Sequence, residues 1–385
     1  MDFIGFIGDH KRTVSRIHIS YTAQKGVRSR MKYRLLDLLA CPQCGDPFEV
    51  ETFEESTCAD GQTEVEQGLL KSSCGAWYPI VNAVPIILPN ALDIYSEFAQ
   101  EYDDRLPEWT ISAAEIRRFE EEKKKTQESF GFEWTIYSTV RDDRDEGYVL
   151  EGGLTADFFR GKLVLDAGCG YGRHSRIVQG YGAEVVGIDL SVAVINARRV
   201  TKDLPNVHIV QTDLFAPPFR RGLFDLVYSW GVLHHTPDPR RAFEGLVDFV
   251  KEGGDISVKI YRKRPTPAAA MESLIRKVTL RLPLKTLYNL SYIAVPVNWF
   301  YWKLGRFIPG IGDAIKGIIR VDPNWRISHI DTFDWYHPQY QFHFPMEEVQ
   351  SWFVEKGLVD VMGVESKGVR GSKSVKQADA VLAER

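Results

Sequence analysis

Cysteine is scarce in this chain, which has five among its 385 residues. So few cysteines do not make a disulfide scaffold, and the C-x-x-C pair Cys41 and Cys44 is more typical of metal or redox chemistry in a reducing compartment. An excess of one charge is also missing, because 48 lysines and arginines stand against 52 aspartates and glutamates. With a net charge of −4, binding to nucleic acid would need a local basic patch.

Long apolar runs suited to a membrane are missing too. The uncharged stretch 286–302 is short for a membrane span and contains Pro296 and Asn298. The apolar start of the chain is too short for a signal peptide and includes Asp2. We therefore expect a cytoplasmic protein, with residues 1–30 as a disordered extension, a product of an upstream start codon or, less favoured, a transit peptide.

Composition divides the rest of the chain into five segments. An apolar content of 44% and a charged content of 26% are those of a globular protein, and the length predicts two or three structural units. The predicted units are a cysteine-containing β-rich module at 31–90, an acidic helical linker at 91–160, a core at 161–261, a basic aromatic helical insertion at 262–330, and an ending at 331–385 that completes the core with a loop, a helix and two strands.

Short apolar strands alternate with helical patterns in the core. Five strand-like runs, from KLVLDA to DISVKIY, are separated by helix-like segments such as SVAVINARRV. Apolar strands separated by helices predict a parallel sheet covered on both faces. The last two strands, LVDVMGVES and ADAVLAER, predict an antiparallel finish. Prolines 79 and 85 are expected to end the strands of the N-terminal module.

The strongest local signal is VLDAGCGYGRHSRI at 164–177. A strand ends at Asp166, then Gly168, Gly170 and Gly172 form a tight turn before a helix opens near Arg173. The spacing G-x-G-x-G differs from the dinucleotide fingerprint G-x-G-x-x-G. An acid beside the turn suits a ligand with positive charge, such as an ammonium next to a sulfonium.

These residues resemble the class I S-adenosylmethionine-dependent methyltransferase family, in its methyltransferase type 11-like form. Its first motif matches 164–172, and its second-strand and third-strand acids match Asp189 and Asp213. The resemblance implies a Rossmann-like doubly wound α/β fold with seven strands, mostly parallel and one antiparallel. It also implies cofactor contacts from Asp166 to the amino group, from Asp189 to the ribose and from Asp213 to the adenine. The full implied cofactor set is Asp166, Gly168, Gly170, Gly172, Asp189, Leu190, Asp213, Leu214 and Ser229.

The chemistry of the acceptor is less clearly marked. The fourth strand-like run of the core, FDLVYSW, continues as SWGV instead of the D/N-P-P-Y/F typical of nucleobase amino methylation. Nucleobase amino methylation is therefore disfavoured. His235 is a candidate general base just past that strand, although a structural His234–His235 pair capping the next helix is the alternative. His337 and Tyr340, in the aromatic segment 331–344, are the other catalytic candidates. We read that segment as a loop beside the acceptor, lined by Trp335, Tyr336, His337, Tyr340 and His343.

CPQCG at 41–45 and CGAWYPIVNAVPIILP at 74–89 resemble the Trm112-like zinc-ribbon family, which is often fused to methyltransferases. The match is irregular, because Lys71 stands where the second pair needs a cysteine. Zinc on Cys41, Cys44, Cys58 and Cys74 is one interpretation, a metal-free β-unit is another, and a redox C-x-x-C is less favoured.

Two further segments are expected to border the acceptor. KKKTQESFGFEW at 123–134 resembles the helical segment that precedes the core in Trm112-fused methyltransferases, with Phe130, Phe132 and Trp134 over the sulfonium. Charge pairs in this helix indicate a solvated face. The insertion has 11 lysines and arginines between Arg262 and Arg320 and two acids. It predicts an interfacial element at 286–302 in peripheral contact with a membrane, a homodimer contact or a helical cap.

The sequence therefore predicts a methyltransferase that uses S-adenosylmethionine and methylates oxygen or carbon of a small or lipid-linked acceptor. One alternative is methylation of RNA or protein through the basic insertion, although a nucleic-acid partner is not favoured by the overall charge. Another is a non-catalytic protein that binds the cofactor or activates a partner.

Overall fold

The computed structural model describes residues 31–57, 63–137, 145–151, 153–263, 267–308, 310–364 and 368–375. Predictions for residues 1–30, for Cys58 and for the strand ADAVLAER at 378–385 lie outside these residues. The strands are β1 (Phe48–Thr57), β2 (Thr63–Ser72), β3 (Trp77–Val81), β4 (Val84–Ile87), β5 (Leu163–Ala167), β6 (Glu184–Asp189), β7 (Val207–Thr212), β8 (Phe224–Trp230), β9 (Val250–Lys259), β10 (Leu358–Val364) and β11 (Gly368–Lys373).

Helices cover both faces of the sheet and build the insertion. They are α1 (Ala91–Ile94), α2 (Ser96–Glu101), α3 (Ala113–Ile136), α4 (Asp145–Val149), α5 (Ala156–Phe159), α6 (Arg173–Gly180), α7 (Ala193–Val200), α8 (Pro239–Val247), α9 (Pro267–Thr279), α10 (Leu284–Ser291), α11 (Ala294–Lys303), α12 (Ile311–Lys316), α13 (Trp325–Tyr336) and α14 (Met346–Glu355). Within the described ranges, each helix is too short or too polar to cross a bilayer.

The sheet runs in the order β1-β2-β3-β4-β7-β6-β5-β8-β9-β11-β10. Parallel pairing joins six neighbouring strands, β4-β7-β6-β5-β8-β9, and β11 pairs antiparallel with both β9 and β10. The prediction of an α/β fold with a mostly parallel sheet is confirmed. From β5 the chain continues to β6 and β7 on one side of that strand and then crosses to β8 on its other side. Because the connections diverge at β5, they leave a crevice at the carboxyl ends of the strands.

The described sheet has eleven strands, because the four strands of the N-terminal segment, β1 to β4, join the seven strands β5 to β11 of the core. β4 pairs with β7 at Ile86 and Ile87, and all four residues of β4 are buried. Residues 31–90 therefore extend the core sheet instead of forming a separate small β-unit. Their likeness to a zinc ribbon stays a prediction.

The prediction that Pro79 and Pro85 end strands is wrong, since Pro79 lies within β3 and Pro85 within β4. β3 pairs with β4 only from Ile80, and β4 pairs with β7 only from Ile86. Each proline is thus paired on one edge of its strand and unpaired on the other, where no amide N–H is needed.

Candidate active site

A cavity of about 820 Å³ lies at the carboxyl ends of the central strands. The glycine loop after β5, the ends of β6 to β9 and the helix α3 surround it. The loop before α13 and two acids of that helix, Asp331 and Asp334, complete its wall. The strand ends therefore form the floor of this cavity, and helical segments distant in the sequence form its cover.

The glycine loop requires glycine at its first two positions. Gly168 has a φ of +95°, and a Cβ there would lie 2.4 Å from a methyl group of Val232. Gly170 has a φ of +54°, and the indole of Trp134 lies 3.5 Å from the position of its Cβ. Both residues line the cavity. The loop backbone is thus bare toward the cavity, as the close approach of a ligand requires.

Gly172 is needed for packing instead. Its φ is +83°, and a Cβ would lie 3.2 Å from the Cβ of Ala197 on α7. It does not line the cavity.

Asp166 lies beneath the loop and is not part of the cavity lining. Its side chain is 2% exposed, and Ser175 on α6 donates a hydrogen bond to its Oδ2 at 2.6 Å. Burial raises the pKa of Asp166 to about 6. In this position the carboxylate ties the end of β5 to the start of α6, and its predicted contact with an ammonium group stays a prediction.

Asp189 is the last residue of β6 and does line the cavity. The backbone N–H of Gly170 donates to its Oδ2 at 2.9 Å, and the N–H and hydroxyl of Ser191 donate to Oδ1 at 2.8 and 2.7 Å. Burial raises the pKa of Asp189. The loop after β5 and the turn after β6 therefore fix this carboxylate in one orientation.

Asp213 follows β7 and forms an ion pair with Lys123 of α3. The Lys123 ammonium also lies 4.6 Å from the centre of the Phe215 ring. Leu190 and Leu214 line the cavity beside the two acids. Ser229 does not, because its hydroxyl donates to the carbonyl of Ala167 within the sheet.

The ring of His235, which follows β8, is held in one tautomer. Nδ1 of His235 lies 2.8 Å from the carbonyl oxygen of Tyr340. A carbonyl only accepts, so Nδ1 carries the proton and Nε2 keeps its lone pair. Burial lowers the pKa of His235, which keeps the ring neutral at pH 7. The ring lines the cavity.

The neighbouring His234 also lines the cavity and is fully buried. Its ring stacks on Tyr261 with centroids 3.8 Å apart. Neither ring nitrogen has a hydrogen-bond partner in the described part of the chain. Two unsatisfied buried nitrogens beside a cavity favour a polar ligand there.

The other two predicted catalytic side chains do not line this cavity. His337 is 1% exposed, and its Nε2 lies 2.9 Å from a carboxylate oxygen of Glu133. The Tyr340 hydroxyl donates to the carbonyl of Glu122. His337 thus packs behind Phe130, and Tyr340 acts on the cavity through its backbone carbonyl.

The segment 331–344 is a loop only in its second half, because residues 331–336 belong to α13. The hydroxyl of Tyr336 donates to the carbonyl of Ile318 at 2.7 Å. Of the aromatic residues predicted over the sulfonium, Phe130 and Trp134 line the cavity. Phe132 instead packs against Tyr288 and Phe333.

Lys123 was missed by the sequence reasoning, which took the EEKKK run for a solvated helix face. The expected pair of Glu120 and Lys124 is present at 2.9 Å. Lys125 instead donates to the carbonyl of Leu280, and Lys123 is 8% exposed. One lysine in the run lies on the same face of α3 as Phe119 and Phe130, and that spacing was the available signal.

A second group of functional candidates lies in the N-terminal segment. The sulfur atoms of Cys41, Cys44 and Cys74 lie within 4.8 Å of one another, and those of Cys41 and Cys74 are 3.9 Å apart. The Ser72 hydroxyl lies 3.1 Å from the sulfur of Cys44. A hydrogen bond from the backbone of Ala76 is the main cause that lowers the pKa of Cys74 to about 7. Lys71, at the place of the missing cysteine, forms an ion pair with Glu51.

Residues 165–258 match the family model for a methyltransferase domain. This segment, about a quarter of the chain, is therefore similar to a methyltransferase domain. It contains the glycine loop, the carboxylates of Asp189 and Asp213, and His235, so the matched residues supply most of the cavity floor. The resemblance found in the motif is thereby supported for the core of the chain.

Individual relatives match the same region. Over 100 residues the chain is 38% identical to the tRNA U34 carboxymethyltransferase of Psychromonas ingrahamii, covering 25% of this chain and 30% of that protein. Over 115 residues it is 33% identical to the ubiquinone biosynthesis O-methyltransferase of Cronobacter sakazakii, covering 29% and 45%. The chain thus spans less than half the length of these curated relatives. A solved structure of a putative S-adenosylmethionine-dependent methyltransferase from Methanococcus maripaludis aligns with 67% of this chain and 97% of its own at 16% identity and a TM-score of 0.38.

Proposed function

We propose that the protein is a methyltransferase that uses S-adenosylmethionine and methylates a small organic acceptor. The observation that carries the proposal is the bare glycine loop at Gly168 and Gly170 facing the cavity next to the oriented carboxylate of Asp189. When bound, S-adenosylmethionine supplies a methyl group on a positively charged sulfur.

The residues present fit this cofactor. Asp189, Asp213 and Leu214 all line the cavity: Asp189 would accept from both ribose hydroxyls, and Asp213 with the Leu214 backbone would contact the adenine edge. Phe130 and Trp134 offer aromatic faces to a cation. His235, neutral and fixed by the Tyr340 carbonyl, accepts the proton of an acceptor hydroxyl through Nε2.

Binding and turnover test the proposal separately. Isothermal titration should detect S-adenosylhomocysteine binding to the intact chain and no binding of NAD. With S-adenosylmethionine as the methyl donor, the chain should then release S-adenosylhomocysteine when it is given an acceptor from a panel of hydroxylated organic acids and their neutral analogues. Binding without release from any compound would indicate the non-catalytic alternative, and binding of NAD alone would contradict the proposal.

Methylation of RNA is a second candidate, since one relative that matches the core is named for action on tRNA. Its docking surface would be the basic insertion. Counterion release then requires that affinity for tRNA falls steeply between 50 and 200 mM salt, by roughly 10³-fold or more for several phosphate contacts. A flat salt response would exclude this candidate.

Zinc at the cysteine cluster remains part of the proposal. Tetrahedral zinc with Zn–S bonds of about 2.3 Å places sulfurs about 3.8 Å apart, close to the 3.9 Å between Cys41 and Cys74. The three sulfurs lie within 4.8 Å of one another, and the Ser72 hydroxyl lies beside Cys44. Elemental analysis of the purified protein should give one zinc per chain, lost in Cys74→Ser and kept in Cys169→Ser. Equal zinc content in both variants would contradict the site.

A further inference from the structure

A second cavity, of about 1450 Å³, opens between the insertion and the methyltransferase core. Helices α9 and α12, the segment 317–321 and the loop that follows α13 line it. Met271, Leu280, Ile318 and Ile319 make part of the lining apolar. A cavity of this size with a partly apolar lining accommodates an apolar part of an acceptor, in addition to the atom that receives the methyl group.

Three residues, Tyr261, Arg320 and Val321, line both this cavity and the cofactor cavity. They form the wall between the two. The hydroxyl of Tyr261 donates to Asp334 at 3.3 Å, and its ring lies against His234. The wall therefore contacts the histidine pair of the active site on one side and the insertion on the other.

Arg320 differs from the other buried charges of the second cavity. The guanidinium of Arg276 donates to the carbonyls of Trp335 and Pro338, and the carboxylate of Glu272 accepts from Gln341. The Arg320 guanidinium is half-buried and lies 3.8 Å over the ring of Trp335. It has no ion pair with a carboxylate in the described ranges.

Among the described residues no carboxylate lies within ion-pair distance of this half-buried guanidinium, and its charge acts at longer range on Glu272 in the same cavity. Such a cation favours an oxyanion ligand, since charge-assisted and bidentate hydrogen bonds restore the solvation that it has lost. The stacking on Trp335 holds the planar group in place. An oxyanion bound there would lie at the boundary of the two cavities, and His235 also lines the first of them.

We infer that the acceptor is an amphipathic organic anion, whose carboxylate or phosphate binds Arg320 and whose apolar part occupies the second cavity. This inference rests on the proposed function, because the first cavity must hold the cofactor. It names the acceptor class and makes Arg320 the residue that selects it. Neutral acceptors of the same shape should bind more weakly, because they leave the guanidinium unpaired.

The experiment compares decyl phosphate, decanoate and decanol, at concentrations below micelle formation, in isothermal titration with the S-adenosylhomocysteine complex. The intact chain should bind one or both anions at least tenfold more tightly than decanol. The variant Arg320→Met should lose at least tenfold in affinity for the anion and leave decanol unchanged. The control Arg326→Met, an exposed arginine on α13 that lines neither cavity, should bind as the parent chain does.

The outcomes separate the two proposals. Failure to bind S-adenosylhomocysteine would overturn the proposed function. Normal S-adenosylhomocysteine binding with no anion binding, with equal affinity for decanol, or with undiminished anion affinity in Arg320→Met would overturn the acceptor class. Arg320→Lys keeps the charge and loses the fork, so an intermediate affinity in that variant confirms a direct oxyanion contact even if the methionine variant folds poorly.

Discussion

The two cavities of this protein are built in different ways. The cofactor cavity takes most of its floor from consecutive strand ends between β5 and β9, where the backbone places each side chain at one edge of the sheet. The insertion cavity is assembled from α9, α12, Trp335 of α13, the segment 317–321 and the loop that follows α13, and it meets the core at Tyr261, just after β9. Local sequence therefore specifies the first, whereas long-range packing specifies the second. Three single variants and one triple variant test this difference.

Loss of the His235 ring should have the largest effect. In His235→Asn the general base is absent, so kcat should fall about 10²-fold or more while the affinity for S-adenosylhomocysteine changes little. In the parent chain burial lowers the pKa of His235. The neutral, active form of its ring therefore persists as the pH falls below 6.5. The rate should stay flat from pH 8 to 6.5 and decline only in more acidic solution. An unchanged kcat in the variant would return His235 to a structural role.

Asp189→Ala should follow in size. Two hydrogen bonds to a carboxylate contribute at least about 1.5 kcal/mol each, which predicts a loss of cofactor affinity of about 100-fold or more. Titration calorimetry measures it, with Asp203→Ala as the control, because that carboxylate is 86% exposed. A loss confined to Asp189→Ala would show that the strand-end cavity alone carries the cofactor, and an equal loss in both would refute this division.

Gly168→Ala should destabilise the strand-end region. The φ of +95° and the contact with Val232 predict a loss of about 2 to 4 kcal/mol in the free energy of unfolding. Denaturant unfolding measures this loss. In Gly180→Ala the new Cβ meets nothing within 4 Å, and that variant should be as stable as the parent. Similar stability of both variants would indicate that the loop adapts.

The smallest effect is expected on the outer face of the insertion, where the predicted contact with a membrane is still to be tested. Ile293, Trp299 and Phe307 are 66%, 63% and 67% exposed, and Lys303 and Arg306 lie near them in the sequence. Replacing all three by serine should lower binding to phosphatidylglycerol vesicles about tenfold in sedimentation, since each loses apolar area. Val354→Ser on α14, 64% exposed in the parent chain, is the control. Absence of vesicle binding by the parent chain would leave the cap or the dimer contact as the role of this face.

Sequence reasoning reached the parts of the site that depend on local order. The strand, the glycines and the acids after β6 and β7 are close in sequence to the elements that place them, so their pattern predicted the cavity floor. It did not find Lys123, because a lysine in a charged run differs from its neighbours only in the direction it faces on α3. Nor did it place His337, whose burial behind Phe130 depends on how α13 packs on α3.

The sequence alone determined a mostly parallel α/β core and its glycine loop, because strand periodicity and positive-φ glycines are local properties of the chain. Only the tertiary structure decided that the N-terminal strands extend the core sheet, that Tyr340 contributes a carbonyl instead of a hydroxyl, and that Arg320 lies between two cavities. Each of these outcomes depends on contacts between segments tens to hundreds of residues apart, which no local pattern records.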